Sequence, residues 1–334
     1  MFDAKDKAYL SFSDREDNVI VGVPHLPEGL NHQEVNSLLT SLVDKFLHTK
    51  NMDDFAFWYY SPMALQFSDK HMPKLTIYDC MDELSAFKNA PKELTILEKK
   101  LMNKADLVFT GGQSLYEAKK QQHANIYPFP SSIDKEHFKQ ARKTGEQPAD
   151  QAGIEGVKLG FYGVIDERID IDLIKGIADA RPDWQIVLIG PVVKIDPATL
   201  PQNKNIHYMG QKCYQELPGY LAGWDVALIP FAINESTKFI SPTKTPEYLS
   251  AGKPVVSTPI KDVITPYGKH KLVSIGHTSD DFVVAIEQVL NMADRSEWLL
   301  KADNFLSDKS WDRTVEDMLR LVKKQLSSNL SIAS

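Results

Sequence analysis

Short runs of β-branched and aromatic residues alternate along this chain with longer stretches in which apolar residues recur every three or four positions. The short runs predict strands and the longer stretches predict amphipathic helices. The predicted strands are 18–23, 55–60, 75–79, 107–110, 125–127, 159–162, 185–189, 206–209, 226–230, 255–257 and 272–275. The predicted helices include 33–49, 92–104, 113–121, 171–178, 280–292 and 310–326. This alternation favours an α/β fold in which doubly wound parallel sheets carry helices on both faces.

A mostly polar segment, 139–155, interrupts the alternation and reads KQARKTGEQPADQAGIE. We interpret it as an interdomain linker or its far edge. The predicted domains are 1–138 and 139–308, followed by a helix within 309–334 that we expect to pack back on the first domain. Two such sheets would face each other across a cleft, and ligands of doubly wound sheets bind at the carboxyl ends of the strands.

Composition and the absence of several motifs exclude a number of protein classes. The net charge of −7 argues against a general nucleic-acid binder. The two cysteines, Cys80 and Cys213, are far apart and are expected to be free thiols in a reducing cytoplasm. The longest apolar run, 226–233, is much shorter than the roughly 20 residues that span a bilayer. Contact with the inner face of a membrane stays open. Fingerprints of dinucleotide, P-loop, zinc and serine-hydrolase sites are absent from the sequence.

The most informative segment is 239–257, FISPTKTPEYLSAGKPVVS. Thr245 can cap a short helix, with Pro246 at its first position. The amino end of a helix suits a phosphate, and Lys244 adds a full positive charge beside it. Glu247 in the first turn could accept hydrogen bonds from a ribose diol. The alternative for Glu247 is simple compensation of the helix dipole.

Other acidic residues allow both a chemical and a structural interpretation. Asp170 and Asp172 form a DxD triplet, but Asp170 also opens a predicted helix, which favours a capping role over a metal site. The acids of segment 79–83 follow a predicted strand, so we expect them at the cleft edge. Asp82 is the first candidate there to orient an acceptor hydroxyl, against a solvated loop as the alternative. For His25, after the first predicted strand, a structural role is favoured. The aromatic run 55–60 could stack a sugar, and a buried strand is the favoured alternative.

The segment 239–257 resembles the donor-nucleotide motif of retaining glycosyltransferases with two Rossmann-like domains, the GT-B type, in the large family four. Three further stretches resemble that family in the same order, namely ADLVFT at 105–110, PFPSSID at 128–134 followed by Phe138, and GFYG at 160–163. Within the family, YDCMDEL at 78–84 and the PTKxxE form of the donor motif are similar to enzymes of bacterial cell-surface polysaccharide assembly.

The resemblance implies roles for individual residues. Glu247 would bind the donor ribose, whereas the family's first motif glutamate falls on Phe239. The family's arginine after the turn glycine falls on Val164, so the nearest cation, Arg168, is our candidate for the diphosphate clamp. The remaining residues implied to contact the donor are Gly163 at the turn, Ser241, Thr243, Lys244 and Thr245 in the loop and helix, and Tyr208 and Gly210 near the nucleobase.

The implied activity is that of a metal-independent hexosyltransferase. It would move a sugar from a UDP- or GDP-sugar to a glycan or lipid-linked acceptor with retention, using Arg168, Lys244 and Asp82 and no cofactor. Two alternatives stay open: a non-catalytic nucleotide-sugar-binding or partner subunit of the same fold, and a nucleotide-sugar epimerase. Family members open with a strand, a glycine-rich turn and a helix. The present chain opens MFDAKDKAYLSFSDREDNVIV, so the first domain is expected to lack its first strand-loop-helix unit.

Overall fold

The computed structural model describes residues 7–332, apart from residues 17, 51–53 and 144. The strands in these ranges are β1 Tyr9–Glu16, β2 Val19–His25, β3 Ala56–Tyr59, β4 Leu75–Cys80, β5 Leu107–Thr110, β6 Ile126–Pro128, β7 Val157–Tyr162, β8 Trp184–Ile189, β9 Ile206–Tyr208, β10 Val226–Ile229, β11 Val255–Ser257 and β12 Val273–Ile275. The helices are α1 His32–Thr49, α2 Leu65–Ser68, α3 Leu94–Lys104, α4 Gln113–Lys119, α5 Lys135–Lys139, α6 Ala149–Ala152, α7 Ile171–Ala180, α8 Leu217–Ala222, α9 Lys244–Ser250, α10 Lys261–Val263, α11 Ser279–Leu290, α12 Arg295–Leu306 and α13 Trp311–Ile332.

The first two strands form an antiparallel hairpin. Phe12 on β1 stacks on Phe46 of α1 at a centroid distance of 5.5 Å, which joins the hairpin to that helix. The predicted strand 18–23 therefore belongs to a hairpin rather than to a parallel sheet. The sequence analysis missed β1 because its second half, SDRE, is polar and shows no buried apolar face. A capping box between Asn31 and Glu34 starts α1 directly after the hairpin.

Two parallel sheets form the rest of the architecture. The first has four strands in the order β3-β4-β5-β6, and the second has six in the order β12-β11-β10-β7-β8-β9. The strand order of the six-stranded sheet is that of a doubly wound fold. Successive strands are added on one side of β7 up to β9 and then on the other side from β10 onward, so the order reverses between β7 and β10. The predicted α/β class with parallel sheets is confirmed. The carboxyl end of β7 lies beside this reversal, which is the ordinary ligand position of such sheets.

Apolar side chains explain why these strands lie inside the molecule. Every residue of β4, β5 and β10 is buried, as expected for parallel strands that are covered on both faces. The last helix, α13, returns to the first domain and covers one face of its sheet. Its partly buried side chains Met318, Leu321, Val322 and Leu326 pack on the buried Leu75, Ile77, Leu107 and Phe109.

The predicted linker 139–155 was wrong as a description of this segment. Its described residues pack on the second domain, where Gln151 is buried and accepts a hydrogen bond from the Trp224 indole at 2.9 Å. Ile133 and Phe138, upstream, already belong to the second hydrophobic core. The chain therefore enters the second domain before Ile133, earlier than the predicted boundary at 138/139. Polar composition misled the prediction because these polar side chains bond to the domain instead of to water.

Of the helices in the described ranges, none combines the length and the apolar character needed to cross a bilayer.

Candidate active site

Two glycine turns meet at the carboxyl ends of β7 and β8. Gly163 and Gly190 have φ values of 144° and 142°, which side-chain-bearing residues rarely adopt. A Cβ on Gly190 would lie 1.9 Å from the Gly163 carbonyl oxygen, and a Cβ on Gly163 would lie 2.5 Å from Cε of Lys244. Gly210 is adjacent, because its carbonyl accepts the Gly190 N–H at 2.9 Å. Glycine is therefore required where the backbone turns against the lysine.

Lys244 holds its ammonium group in this corner without a counter-ion. Within the described part of the chain it makes no hydrogen bond or ion pair, and its Nζ lies 5.7 Å and 5.8 Å from the ring centroids of Phe161 and Phe231. Burial lowers the pKa of Lys244, and nearby Arg168 lowers it further, whereas Glu247 opposes the shift. The side chain is half-buried, and a cation with reduced access to water and no direct partner favours an incoming anion.

Helix α9 starts at Lys244, two residues earlier than a Thr245 cap requires. Thr243 occupies the cap position and makes no side-chain capping bond. The predicted capping role of Thr245 is wrong, because this residue lies inside the first turn and is 0% exposed. Its hydroxyl has no partner in the described structure and is out of reach of a ligand in the cleft. Only the amides at the helix start, around Thr243 and Lys244, can face a ligand.

Glu247 lies one turn along the helix and is held by a neighbouring strand. The Tyr162 hydroxyl donates to Oε2 of Glu247, and the Tyr162 backbone N–H donates to the Tyr248 hydroxyl at 3.1 Å. Burial raises the pKa of Glu247, while Tyr162, Lys244 and His137 oppose that shift. Glu247 therefore does more than compensate the helix dipole, since its carboxylate is fixed at the end of β7.

Sequence reasoning missed an aromatic pair beside Glu247. The Tyr214 ring stacks on the His137 imidazole at 4.1 Å, and His137 Nε2 lies 3.0 Å from the Tyr214 carbonyl oxygen. Burial and the charge of Glu247 raise the pKa of Tyr214 to about 12. The pair comes from segments 77 residues apart in the chain, so no local motif could reveal it.

Arg168 lies near Lys244, as the diphosphate-clamp interpretation requires, but it is already paired. Its Nε and Nη2 donate to the buried Asp166 carboxylate at distances between 2.8 and 3.1 Å. Nη1 is left without a partner among the described residues. Arg168 therefore offers one edge of its guanidinium to a ligand, and its net charge is largely balanced by Asp166. The sequence analysis did not anticipate this pairing.

The three acids at the carboxyl end of β4 take three different positions. Asp79 is buried in the strand and accepts the Trp58 indole N–H at 3.0 Å. Glu83 pairs with the buried Lys119 at 2.7 Å. Asp82 lies close enough to Arg168 for that cation to lower its pKa, although burial raises it overall. Among the three, only Asp82 lies across the cleft from the predicted donor residues.

Ser241 and Tyr208 lie at the margins of this site. The Ser241 carbonyl accepts the Ser131 hydroxyl at 3.0 Å, and a Cβ on Gly112 of the first domain would lie 2.9 Å from the Ser241 Cβ. The loop before α9 therefore contacts the first domain directly. The Tyr208 hydroxyl donates to the Pro201 carbonyl at 3.1 Å, so it is satisfied within its own domain.

Two further candidates have structural roles. Asp170 caps α7 by accepting the Leu173 N–H at 2.9 Å, which is the interpretation favoured for the DxD triplet. His25 stacks on Tyr9 at 4.5 Å and its Nε2 lies 2.9 Å from the Ser11 hydroxyl. No group of three or more potential metal-binding side chains occurs among the described residues.

Comparison with known proteins places this geometry in a family. Residues 159–292 match the family described as Glycosyl transferases group 1. This range contains Gly163, Arg168, Lys244 and Glu247. The matched residues make up most of the second domain. The predictions of a glycosyltransferase enzyme and of resemblance to this family are confirmed.

Similarity extends over most of the chain. It is 26% identical over 296 residues to TuaH of Bacillus subtilis (strain 168), provisionally assigned as a teichuronic acid biosynthesis glycosyltransferase, and the match covers 82% of this chain and 73% of TuaH. Sucrose-phosphate synthase from Thermosynechococcus elongatus aligns with a TM-score of 0.70 and 12% identity, covering 95% of this chain and 86% of that one. Anabaena HepE, solved with UDP and glucose, aligns with a TM-score of 0.66 and 14% identity, covering 92% and 85%. The fold is GT-B.

Proposed function

We propose that the enzyme transfers a sugar, with retention and without a metal ion, from a nucleotide-diphosphate sugar to an acceptor hydroxyl. Breaking the anomeric C–O bond leaves a diphosphate whose negative charge grows in the transition state. Positive groups fixed before the reaction stabilise that charge at little reorganisation cost. The residues that would do so are Lys244, the open edge of Arg168 and the amides at the start of α9.

The observation that carries the proposal is the unpaired ammonium of Lys244 at the carboxyl end of β7. Cations with little access to water ordinarily have a counter-ion or several hydrogen bonds, and the half-buried Lys244 makes no ion pair or hydrogen bond among the described residues. A diphosphate at the Gly163 turn would supply the missing partner. The cost of partly desolvating the cation is then offset when the donor binds and the leaving group forms.

Neighbouring groups support a ribose and a base on either side of the diphosphate. Glu247, fixed by Tyr162, presents a carboxylate that can accept both hydroxyls of a ribose diol. Tyr214, stacked on His137, offers an aromatic face near Glu247 for a nucleobase. The similar fold of HepE, solved with UDP and glucose, supports UDP over GDP as the carrier. Similarity to TuaH supports a role in bacterial cell-surface polysaccharide assembly.

The acceptor would approach from the first domain. Asp82 lies across the cleft near Arg168, and burial raises its pKa, which makes its carboxylate a better hydrogen-bond acceptor for an attacking hydroxyl. Contact between Ser241 and the first domain at Gly112 keeps the two sides of the cleft together. Water exclusion by the closed cleft would favour transfer over hydrolysis.

A nucleotide panel tests this function. UDP, GDP, ADP and their glucose conjugates are added to the protein in EDTA, and the unfolding temperature is measured. One nucleotide present at 100 times its dissociation constant should stabilise the protein by about 2.7 kcal/mol. Stabilisation without any transfer to acceptors would favour a non-catalytic subunit, and isomerised donor without acceptor would favour an epimerase. No stabilisation by any nucleotide would contradict the proposal.

A further inference from the structure

A groove runs between the first turns of α13 and the carboxyl ends of β3 and β4. Its volume is about 370 Å³, which lies within the range of small-molecule sites. Five large apolar side chains along it are between 41% and 63% exposed, namely Tyr60, Met81, Trp311, Val315 and Leu319. Contiguous exposed apolar surface of this kind marks a binding site more often than isolated exposed residues do.

Core packing does not account for these side chains. Helix α13 covers the first sheet with a neighbouring stripe that includes Met318 and Val322, and Met318 also lines the edge of the groove. The exposed stripe is spaced at four-residue intervals, Trp311, Val315 and Leu319, and lies along the groove. Residues spaced by four share one helix face. The helix therefore presents a second apolar face that the described residues leave open.

The floor of the groove carries a single buried acid. Asp79 is 4% exposed, and one carboxylate oxygen accepts the Trp58 indole N–H at 3.0 Å. The other oxygen makes no hydrogen bond to any residue the structure describes. Burial raises the pKa of Asp79. Beside this acid, the remaining polar side chains of the groove are Ser131 and Thr314 and the hydroxyl of Tyr60, and most of the other lining residues are apolar or aromatic.

The groove continues into a more polar cavity of about 440 Å³. The two share Phe129 and Ser131, and the second cavity is lined by Arg313 and reaches Ser241 in the loop before α9. A molecule with an apolar chain and a polar head could therefore lie with its chain in the groove and its head directed toward the predicted donor loop.

We propose that this groove binds the apolar chain of an amphiphilic acceptor, with the polar head in the adjoining cavity. The inference rests on the proposed transferase function, because only a transferase has an acceptor. It adds the chemical class of that acceptor. The exposed apolar face of α13 and the continuity of the groove with the more polar cavity carry it.

Monomeric alkyl β-glucosides, from butyl to octyl, test the groove by calorimetric titration. Affinity should rise about two- to fourfold for each added methylene, because each enters an apolar groove. Val315→Glu should reduce octyl glucoside affinity at least tenfold. The matched control is Leu300→Glu, which changes an exposed leucine of α12 outside the groove and should leave affinity unchanged. Leu319→Glu repeats the test should the first variant fold poorly.

Binding of UDP, measured on the same samples, separates this inference from the proposed function. If UDP binds but the affinity for glucosides does not depend on chain length, the inference about the groove is contradicted. The proposed transferase function is then unaffected. Loss of chain-length dependence in Val315→Glu with unchanged UDP affinity would support it. Co-sedimentation with phosphatidylcholine vesicles without binding of monomeric glucosides would indicate a membrane surface as the occupant and would also overturn the inference.

Discussion

Replacing Lys244 by methionine should lower activity and raise stability at the same time. The substitution keeps an unbranched chain of similar length against Phe161 and Phe231 and removes only the ammonium group. In the free enzyme that group makes no direct ion pair among the described residues, and the desolvation that lowers its pKa outweighs the attraction of Glu247 and Asp166, which Arg168 also opposes. We therefore expect the free energy of unfolding to rise by about 1 kcal/mol.

The effect on catalysis follows from the charge of the leaving group. Removing one fixed donor from a developing anion costs about 2.7–4 kcal/mol of barrier, or about 10²- to 10³-fold in kcat. Glu247 and the glycine turn remain, so the ribose is still recognised and the affinity for UDP should fall less than kcat does. A larger loss in kcat than in binding is the signature of an interaction that strengthens in the transition state.

Donor consumption, UDP titration and urea unfolding measure the three quantities on one preparation. Lys238→Met is the matched control, because Lys238 precedes the same helix, is exposed, and contacts only surface partners, Glu235 at 3.4 Å and the Phe239 ring at 5.4 Å. That variant should match the wild type in all three measurements. Turnover of Lys244→Met at the level of this control would refute the assignment of Lys244 to the leaving diphosphate.

Three further predictions concern the turn and two buried lysines. Gly163→Ala should reduce kcat at least 100-fold, because the new Cβ would lie 2.5 Å from Cε of Lys244 and displace that side chain. Circular dichroism should show that the fold is retained, and donor consumption measures kcat. Lys119→Met should destabilise the protein by about 3–5 kcal/mol in urea unfolding, because it leaves two glutamates buried without their cation. Burial lowers the pKa of Lys253 to about 8 from 10.5. The folded state therefore sheds this proton first, and the stability of wild type relative to Lys253→Met should increase as pH rises from about 8 to about 10.5.

Controls for these predictions come from the same chain. Gly29→Ala, before α1 and outside the candidate site, also strains a positive φ but meets open space, so its cost should be confined to about 1 kcal/mol of stability. Equal loss of activity in both glycine variants would contradict the steric argument. Lys120→Met removes a surface ion pair and should change stability by less than about 0.5 kcal/mol. A flat pH dependence of the difference between wild type and Lys253→Met would contradict the burial argument.

Periodicity predicted most of the elements because their burial is regular. The strands 107–110 and 255–257 were predicted with the bounds that the structure shows, and α13 differs mainly in continuing to residue 332. Helix α12 was missed, since its apolar residues form a weak stripe around the buried Trp298. The segment 139–155 was misassigned because polar side chains such as Gln151 can be buried when a neighbouring indole and carbonyl satisfy them.

Local motifs located the site residues that lie near one another in sequence, and missed the contacts that the fold creates. The segment around Lys244 and Glu247 could be identified because a helix start, a cation and an acid are adjacent. The fork between Arg168 and Asp166 and the stack of Tyr214 on His137 depend on rotamers and on distant segments. Thr245 was assigned as the cap because both Thr243 and Thr245 are residue types that can cap a helix. In the structure, the helix begins after the earlier of the two, Thr243.

Donor turnover in EDTA, compared with turnover after magnesium is restored, tests the central claim most directly. The claim is that a lysine, an arginine edge and helix amides together stabilise the leaving diphosphate. Wild-type enzyme should then consume its nucleotide sugar at the same rate in both conditions, with the anomeric configuration retained in the product. A rate that vanishes in EDTA and returns with magnesium would contradict the account.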